Sequence, residues 1–178
     1  MRVISGQCRG RRLLEPTGYD VRPTTDQVKE ALFNIIQFDV EGRRALDLFA
    51  GTGQLGIEAL SRGAGECVFV DASRDSLRIV RENLRRCGLS ARTEQCDALA
   101  FLRRGERFDL VFIDPPYDSG LAGEAMEALK AFDNLSKGGI MVVETRRETT
   151  LPELGAEYGD VRTYRYGKIK LTVITRGT

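Results

Sequence analysis

The 178-residue chain has no histidine and no tryptophan, only five prolines and four cysteines, and no apolar run near the roughly 20 residues a membrane-spanning helix needs. Without histidine there is no Ser–His nucleophile, no imidazole general base and no His-ligated metal. Cys8, Cys67, Cys87 and Cys96 form no CxxC pair and repeat no spacing, which argues against a thiolate metal site or a disulfide framework. Reduced thiols used mostly for packing are expected. The basic N-terminus, MRVISGQCRGRR, leads into no apolar segment of the signal-peptide kind, so a cytoplasmic protein is expected, with neither membrane nor metal among its partners. A length of 178 residues with 42% hydrophobic content suits one domain with a real core, so residues 1–178 are expected to form a single domain and a monomer.

An excess of charge of one sign is nearly absent overall but not locally. Residues 1–22 carry five arginines against Glu15 and Asp20, a net +3, and residues 161–178 carry three arginines and two lysines against no acid, a net +5. The segment between them holds −7, giving +1 for the chain. Basic ends on an acidic centre suit an anionic partner held by the terminal segments, although solvated surface charge gives clusters of this size as readily.

The alternating segments RVISG and RRLLEP around QCRG predict a short basic N-terminal hairpin. In RPTTDQVKEALFNIIQF, Thr24 and Gln27 have capping-box spacing, and Val28, Ala31, Leu32, Ile35 and Ile36 share one helical face. From Arg44 onward the pattern alternates. ALDLFA, CVFVDA, ARTEQCDA, LVFIDPPY and GGIMVVETR read as strands, with helices over 54–62, 74–87, 98–104 and 120–133. Ser73 suits an N-cap and Gly88 a C-terminal cap of the second of these helices. Such alternation implies a mostly parallel α/β sheet covered by helices on both faces. The tail DVRTYRYGKIKLTVITR has two alternating segments around Gly167 and should add an antiparallel hairpin at one edge, giving seven strands.

DLFAGTGQLG places Gly51, Gly53 and Gly56 in a G-x-G-x-x-G pattern between a strand and a helix, where the backbone can approach a ligand closely. Asp71 ends the next strand 20 residues after Gly51, where an acid accepts hydrogen bonds from ribose hydroxyls. Four successive strands thus finish at Asp47, Asp71, Asp97 and Asp114, although one such Asp alone is more often a helix cap. A nicotinamide dinucleotide and S-adenosylmethionine both fit a ribose-binding acid here. Asp47 favours the second, because a carboxylate before the glycines repels a pyrophosphate but not a sulfonium.

FDLVFIDPPY leads apolar residues into a carboxylate, two rigid prolines and a ring. Proline fixes φ and has no N–H, so the Pro115 carbonyl and the Asp114 carboxylate become side-by-side acceptors. Two acceptors suit an exocyclic NH₂. Holding both protons favours a nitrogen whose lone pair points at an electrophile, and the proton shed afterwards can pass to Asp114 or to water. Tyr117 offers a flat face for stacking a base. The identity of the amine stays open at this point: adenine N6, an amide nitrogen and guanine N2 all fit.

Together DLFAGTG, the acidic end of the second strand, CDA and DPPY resemble S-adenosylmethionine-dependent methyltransferases acting on amino or amide nitrogen. RVISGQCRGRRL, RPTTDQVKEALFNII, GIEALSRGA, FDLVFIDPPY and YRYG resemble the RsmD family of 16S ribosomal RNA guanine-N2 methyltransferases, from Arg2 to about Val173. The resemblance implies a Rossmann-like class I methyltransferase fold, S-adenosylmethionine as cofactor, and 16S rRNA within the small ribosomal subunit as substrate. It also implies roles. Asp47, Gly51 and Gly53 would line the methionine end of the cofactor, Asp71 would hold the ribose hydroxyls and Asp97 the adenine amine, with Phe49 and Ala98 also binding the cofactor. Asp114, Pro115, Pro116 and Tyr117 would take the target base, turned out of its stack. Arg22 and Thr24 would close over the cofactor or the target, and Arg2, Arg9, Arg11, Arg12 and Arg22 would contact RNA.

Overall fold

Apolar strand residues sort by parity. In the computed structural model, which describes residues 1–16 and 25–178, Ala45, Cys67, Phe69, Leu110, Phe112, Ile140 and Val142 join one core. Their sequence neighbours Leu46, Val68, Val70, Val111, Ile113, Met141 and Val143 join another. A strand's two-residue repeat sends neighbours to opposite faces, so both faces of the sheet are apolar and both must be covered.

The strands are β1 (Arg44–Asp47), β2 (Glu66–Asp71), β3 (Arg92–Gln95), β4 (Phe108–Ile113), β5 (Leu135–Arg146), β6 (Asp160–Tyr166) and β7 (Ile169–Thr175). They lie in the order β3-β2-β1-β4-β5-β7-β6. The first five are parallel, and β7 inserts antiparallel between β5 and β6. Helices α1 (Asp26–Ile35), α2 (Gln54–Ser61) and α3 (Arg74–Arg86) pack on one face, and α4 (Ala98–Leu102) and α5 (Leu121–Ala131) on the other. This is the α/β sheet the alternation implied, including the hairpin turning at Gly167, whose φ is +59°.

Several boundaries move, and three of the shifts have a plain local reason. β4 stops at Ile113, because prolines 115 and 116 cannot donate to a ladder. β3 covers only Arg92–Gln95, because Asp97 turns to cap α4. The cap of α1 is Thr25, whose Oγ1 accepts from the Val28 N–H at 3.3 Å, rather than Thr24, which lies outside the described residues. Ser73 caps α3 as expected, and Gly88 follows it at φ +65°. The buried face of α1 is Val28, Lys29, Leu32, Phe33 and Ile36, with Ala31 and Ile35 only half-buried.

The N-terminal hairpin has one antiparallel bridge, Arg2 with Arg12, and Val3 exchanges hydrogen bonds with Arg11 and Gly10 at 2.9 Å each. Two full strands do not form; what holds the segment is docking. Val3, Cys8 and Leu13 enter the core of the first face. Gly6, at φ +83°, lies so close to α2 that a Cβ would stand 1.8 Å from the Ser61 carbonyl oxygen. Beneath it, fully buried Glu58 accepts from the N–H groups of Ile4 and Ser5 at 2.8 and 3.0 Å and from Arg62 Nε at 2.8 Å. Lys29 Nζ lies 3.7 Å from Glu58 and donates to the Arg2 carbonyl at 2.6 Å. Burial lowers the Lys29 pKa, and the Glu58 charge opposes that shift.

Candidate active site

The chain reverses its order of strand addition at β1, which lies between β2 and β4, and open α/β sheets form their crevice outside the strand ends at such a point. Asp47 pairs with Phe112, and the Leu48 N–H donates to the Phe112 carbonyl at 3.1 Å. The loop after β1 and the DPPY segment after β4 therefore leave the sheet side by side.

The three glycines of the loop do different work. Gly51 and Gly53 are left-handed, at φ +55° and +78°, and the Gly53 N–H closes the turn on the Ala50 carbonyl at 2.6 Å. A Cβ on Gly51 would meet nothing within 4 Å, which leaves open space beside the loop. At Gly56 a Cβ would stand 2.4 Å from the Phe69 ring, so the third glycine serves helix-on-strand packing.

Asp71 is half-buried against this loop. Its Oδ2 accepts from the Gly51 N–H at 2.9 Å and its Oδ1 from the Ser73 N–H at 2.8 Å. A carboxylate fixed by two backbone donors keeps a lone pair on each oxygen, enough to accept from a vicinal diol. The site thus fits the ribose of S-adenosylmethionine on its own chemistry.

Asp47 is 2% exposed and accepts from the Gly56 N–H at 3.0 Å, supporting the loop from the sheet side. Burial pushes its pKa up to about 7, against the Gly56 hydrogen bond, with Asp71 adding to the rise. A carboxyl raised in the folded state costs stability as pH climbs from its unfolded value to its folded one. Wild-type stability measured against Asp47→Asn should therefore fall between about pH 4 and pH 7 and level off above. Parallel pH profiles for the two proteins would contradict the shift.

The remaining cofactor candidates divide. Phe49 is half-buried against the core of the second face. Asp97 is exposed and caps α4, its Oδ1 accepting from the Ala100 N–H at 2.9 Å, and Ala98 is buried in that helix's first turn. Asp97 thus has the capping role that is the commoner one for a strand-end Asp.

In DPPY, Asp114 is half-buried, Pro115 buried and Pro116 exposed, the Pro116 carbonyl accepting from Ser119 Oγ at 2.7 Å. Tyr117 is not a bare platform. Its hydroxyl donates to Glu144 Oε1 at 2.8 Å, and the Arg146 guanidinium carbon stands 5.2 Å from the ring centroid. Arg146 is held there by Asp118 at 2.9 Å. Cation–π attraction occupies one face of the ring, so a base must take the other or displace Arg146. Pro115, Tyr117, Glu144, Arg146 and Thr149 line the cleft beside the motif. Glu144 and Arg146 were missed because they end the fifth strand, in VVETR, outside the row of aspartates.

Arg2, Arg9, Arg11 and Arg12 are exposed on the N-terminal hairpin. Arg2 faces Asp26 at 3.3 Å in a pair solvated on both sides and therefore weak. Arg22, like Thr24, lies outside the described residues. The four cysteines are free, with Cys8 and Cys67 buried, and burial beside Cys8 pushes Cys87 up to about 11. Among the described residues no His, Cys, Asp and Glu group could hold a metal ion, and no helix is long and apolar enough to cross a membrane.

Comparison with known proteins places this geometry in context. The family described as conserved hypothetical protein 95 matches residues 1–175. YlbH of Bacillus subtilis is 40% identical over 94% of both chains. Ribosomal RNA small subunit methyltransferase D of Escherichia coli is 37% identical over 89% of this chain and 81% of that one. The 16S rRNA N2 G1207 methyltransferase RsmC of Thermus thermophilus, solved with AdoMet and guanosine, superposes at a TM-score of 0.75 with 25% identity. That match covers 90% of this chain and 44% of RsmC.

Proposed function

Because the chain belongs to the RsmD family, matched under the description conserved hypothetical protein 95 along nearly its whole length, we propose that it is an S-adenosylmethionine-dependent methyltransferase of the exocyclic N2 of one guanine in 16S rRNA. The observation that carries this reading is that Asp71, the Gly51 loop and Asp114–Tyr117 follow the same ends of the neighbouring parallel strands β2, β1 and β4, with Asp71 bonded to Gly51. One side of that arrangement suits a ribose and the other an amino group.

The cofactor supplies an electrophilic methyl group on a sulfonium. The chain does the rest. Asp71 anchors the ribose, and the open space beside Gly51 admits the cofactor close to the backbone. Asp114 and the Pro115 carbonyl accept the two N–H groups of the target amine, which turns its lone pair toward the methyl and restrains its rotation. Asp114, or a water, would take the proton that the nitrogen sheds on methylation. Tyr117, pinned by Glu144, supports the extruded base, whose unstacking costs a few kcal/mol.

The exposed arginines of the N-terminal hairpin supply phosphate contacts. Changing Arg11 and Arg12 to Ala should weaken RNA binding most at low salt and reduce the slope of log affinity against log salt by up to about 2. An unchanged slope would remove the hairpin from the RNA interface. The proposal as a whole is tested with labelled S-adenosylmethionine offered to unmodified small subunits, large subunits, free RNA and DNA. Label should enter small-subunit RNA, and label confined to DNA or protein would overturn the reading.

A further inference from the structure

Asn83 is fully buried in the last turn of α3, and every polar hydrogen of its amide is used. Its Oδ1 accepts from the Leu14 N–H at 2.6 Å, and its Nδ2 donates to the Leu14 carbonyl at 3.2 Å and to the Thr52 carbonyl at 2.9 Å. Leu14 ends the arginine-bearing N-terminal segment, and Thr52 lies between the two left-handed glycines of the cofactor loop. A second, weaker contact joins the same parts, since Thr52 Oγ1 donates to Met1 Sδ at 3.4 Å. One side chain therefore grips the backbone on both sides of the gap between the RNA-facing segment and the cofactor loop.

We propose that Asn83 is a positioning residue that ties the N-terminal RNA-contacting segment to the cofactor loop, so that RNA and S-adenosylmethionine bind cooperatively. The inference rests on the reading of the chain as an RNA methyltransferase. Its physical basis is shared order. The amide can hold Leu14 and Thr52 together only when both are in place, so a ligand that orders one side lowers the entropic cost of ordering the other. Linkage makes the effect reciprocal. A purely structural asparagine would lower stability and leave the two affinities independent.

The test uses the full chain and S-adenosylhomocysteine, which is not turned over, titrated with and without unmodified small ribosomal subunits. Subunits should tighten wild-type binding by roughly 5–150-fold, the usual range of coupling between sites. In Asn83→Ser and Asn83→Ala that ratio should fall to near one, even where binding of either ligand alone persists. A folded variant that keeps the wild-type ratio, or a wild type with none, overturns the proposal. Hydrogen exchange at the Leu14 amide gives a readout free of any variant's folding: S-adenosylhomocysteine alone should slow it in the wild type, and no change would contradict the link. Label transfer by the wild type, measured separately, distinguishes the outcomes. Transfer without coupling sinks only this inference, whereas absence of both transfer and cofactor binding sinks the parent reading.

Discussion

Asp114→Ala is expected to lower the rate of methyl transfer by roughly 10²–10⁴-fold, the range for loss of a positioned proton acceptor, while S-adenosylmethionine binds almost as in the wild type. The asymmetry follows from the layout. In the proposed site the cofactor is held by Gly51, Gly53 and Asp71 after β1 and β2, whereas Asp114 belongs to the neighbouring strand end after β4. Removing its carboxylate leaves the Asp71–Gly51 hydrogen bond intact but takes away one of two acceptors for the amine. The nitrogen then keeps its lone pair in conjugation, and its proton loses the nearest carboxylate. The measurement is single-turnover transfer beside a calorimetric titration. Near-normal turnover, or a loss of cofactor affinity as large as the loss of rate, would refute the assignment.

Glu58→Ala should produce the largest loss of stability of any single change outside the crevice. Glu58 and Lys29 are both fully buried, and the carboxylate also satisfies Ile4, Ser5 and Arg62. Deleting it strands a buried ammonium and two backbone donors, and breaking a buried pair in this way costs roughly 3–5 kcal/mol. For a chain of this size that corresponds to a fall in Tm on the order of 10 °C. The double change of Lys29 and Glu58 to Met should recover part of the loss, because no charge is then left alone, but not the part due to Ile4 and Ser5. Thermal unfolding of the single and double variants decides the matter. A loss below about 1 kcal/mol, the size of a surface ion pair, would mean that the pair contributes little to docking the hairpin.

Features legible in the sequence were those written locally. The alternation of apolar strand segments such as ALDLFA, CVFVDA and LVFIDPPY with helical ones announced a parallel sheet covered on both faces, and Ser73 and Gly88 bracketed α3. Thr24 and Thr25 satisfy capping rules one residue apart, and only the hydrogen bond to Val28 selects the second. Asp97 looked like its neighbours Asp71 and Asp114, and the sequence pattern did not show that one of its oxygens also caps the short helix after it. The polar residues that join distant parts were not legible. Lys29 reads as the solvated side of an amphipathic helix, and Glu58 as an ordinary helical charge, until the chain brings Arg2 and Ile4 over them. Asn83 is separated from Leu14 by 69 residues, and Glu144 from Tyr117 by 27. Neither pair has a local periodicity that would announce it.

The central claim is that the two acceptors of DPPY address the N2 of guanine in small-subunit RNA. Its most direct test is to transfer label from S-adenosylmethionine to unmodified small subunits, digest the RNA to nucleosides, and identify the labelled species. The account predicts a single product, N2-methylguanosine; label in N6-methyladenosine, or at a ring nitrogen or ribose oxygen, would contradict it.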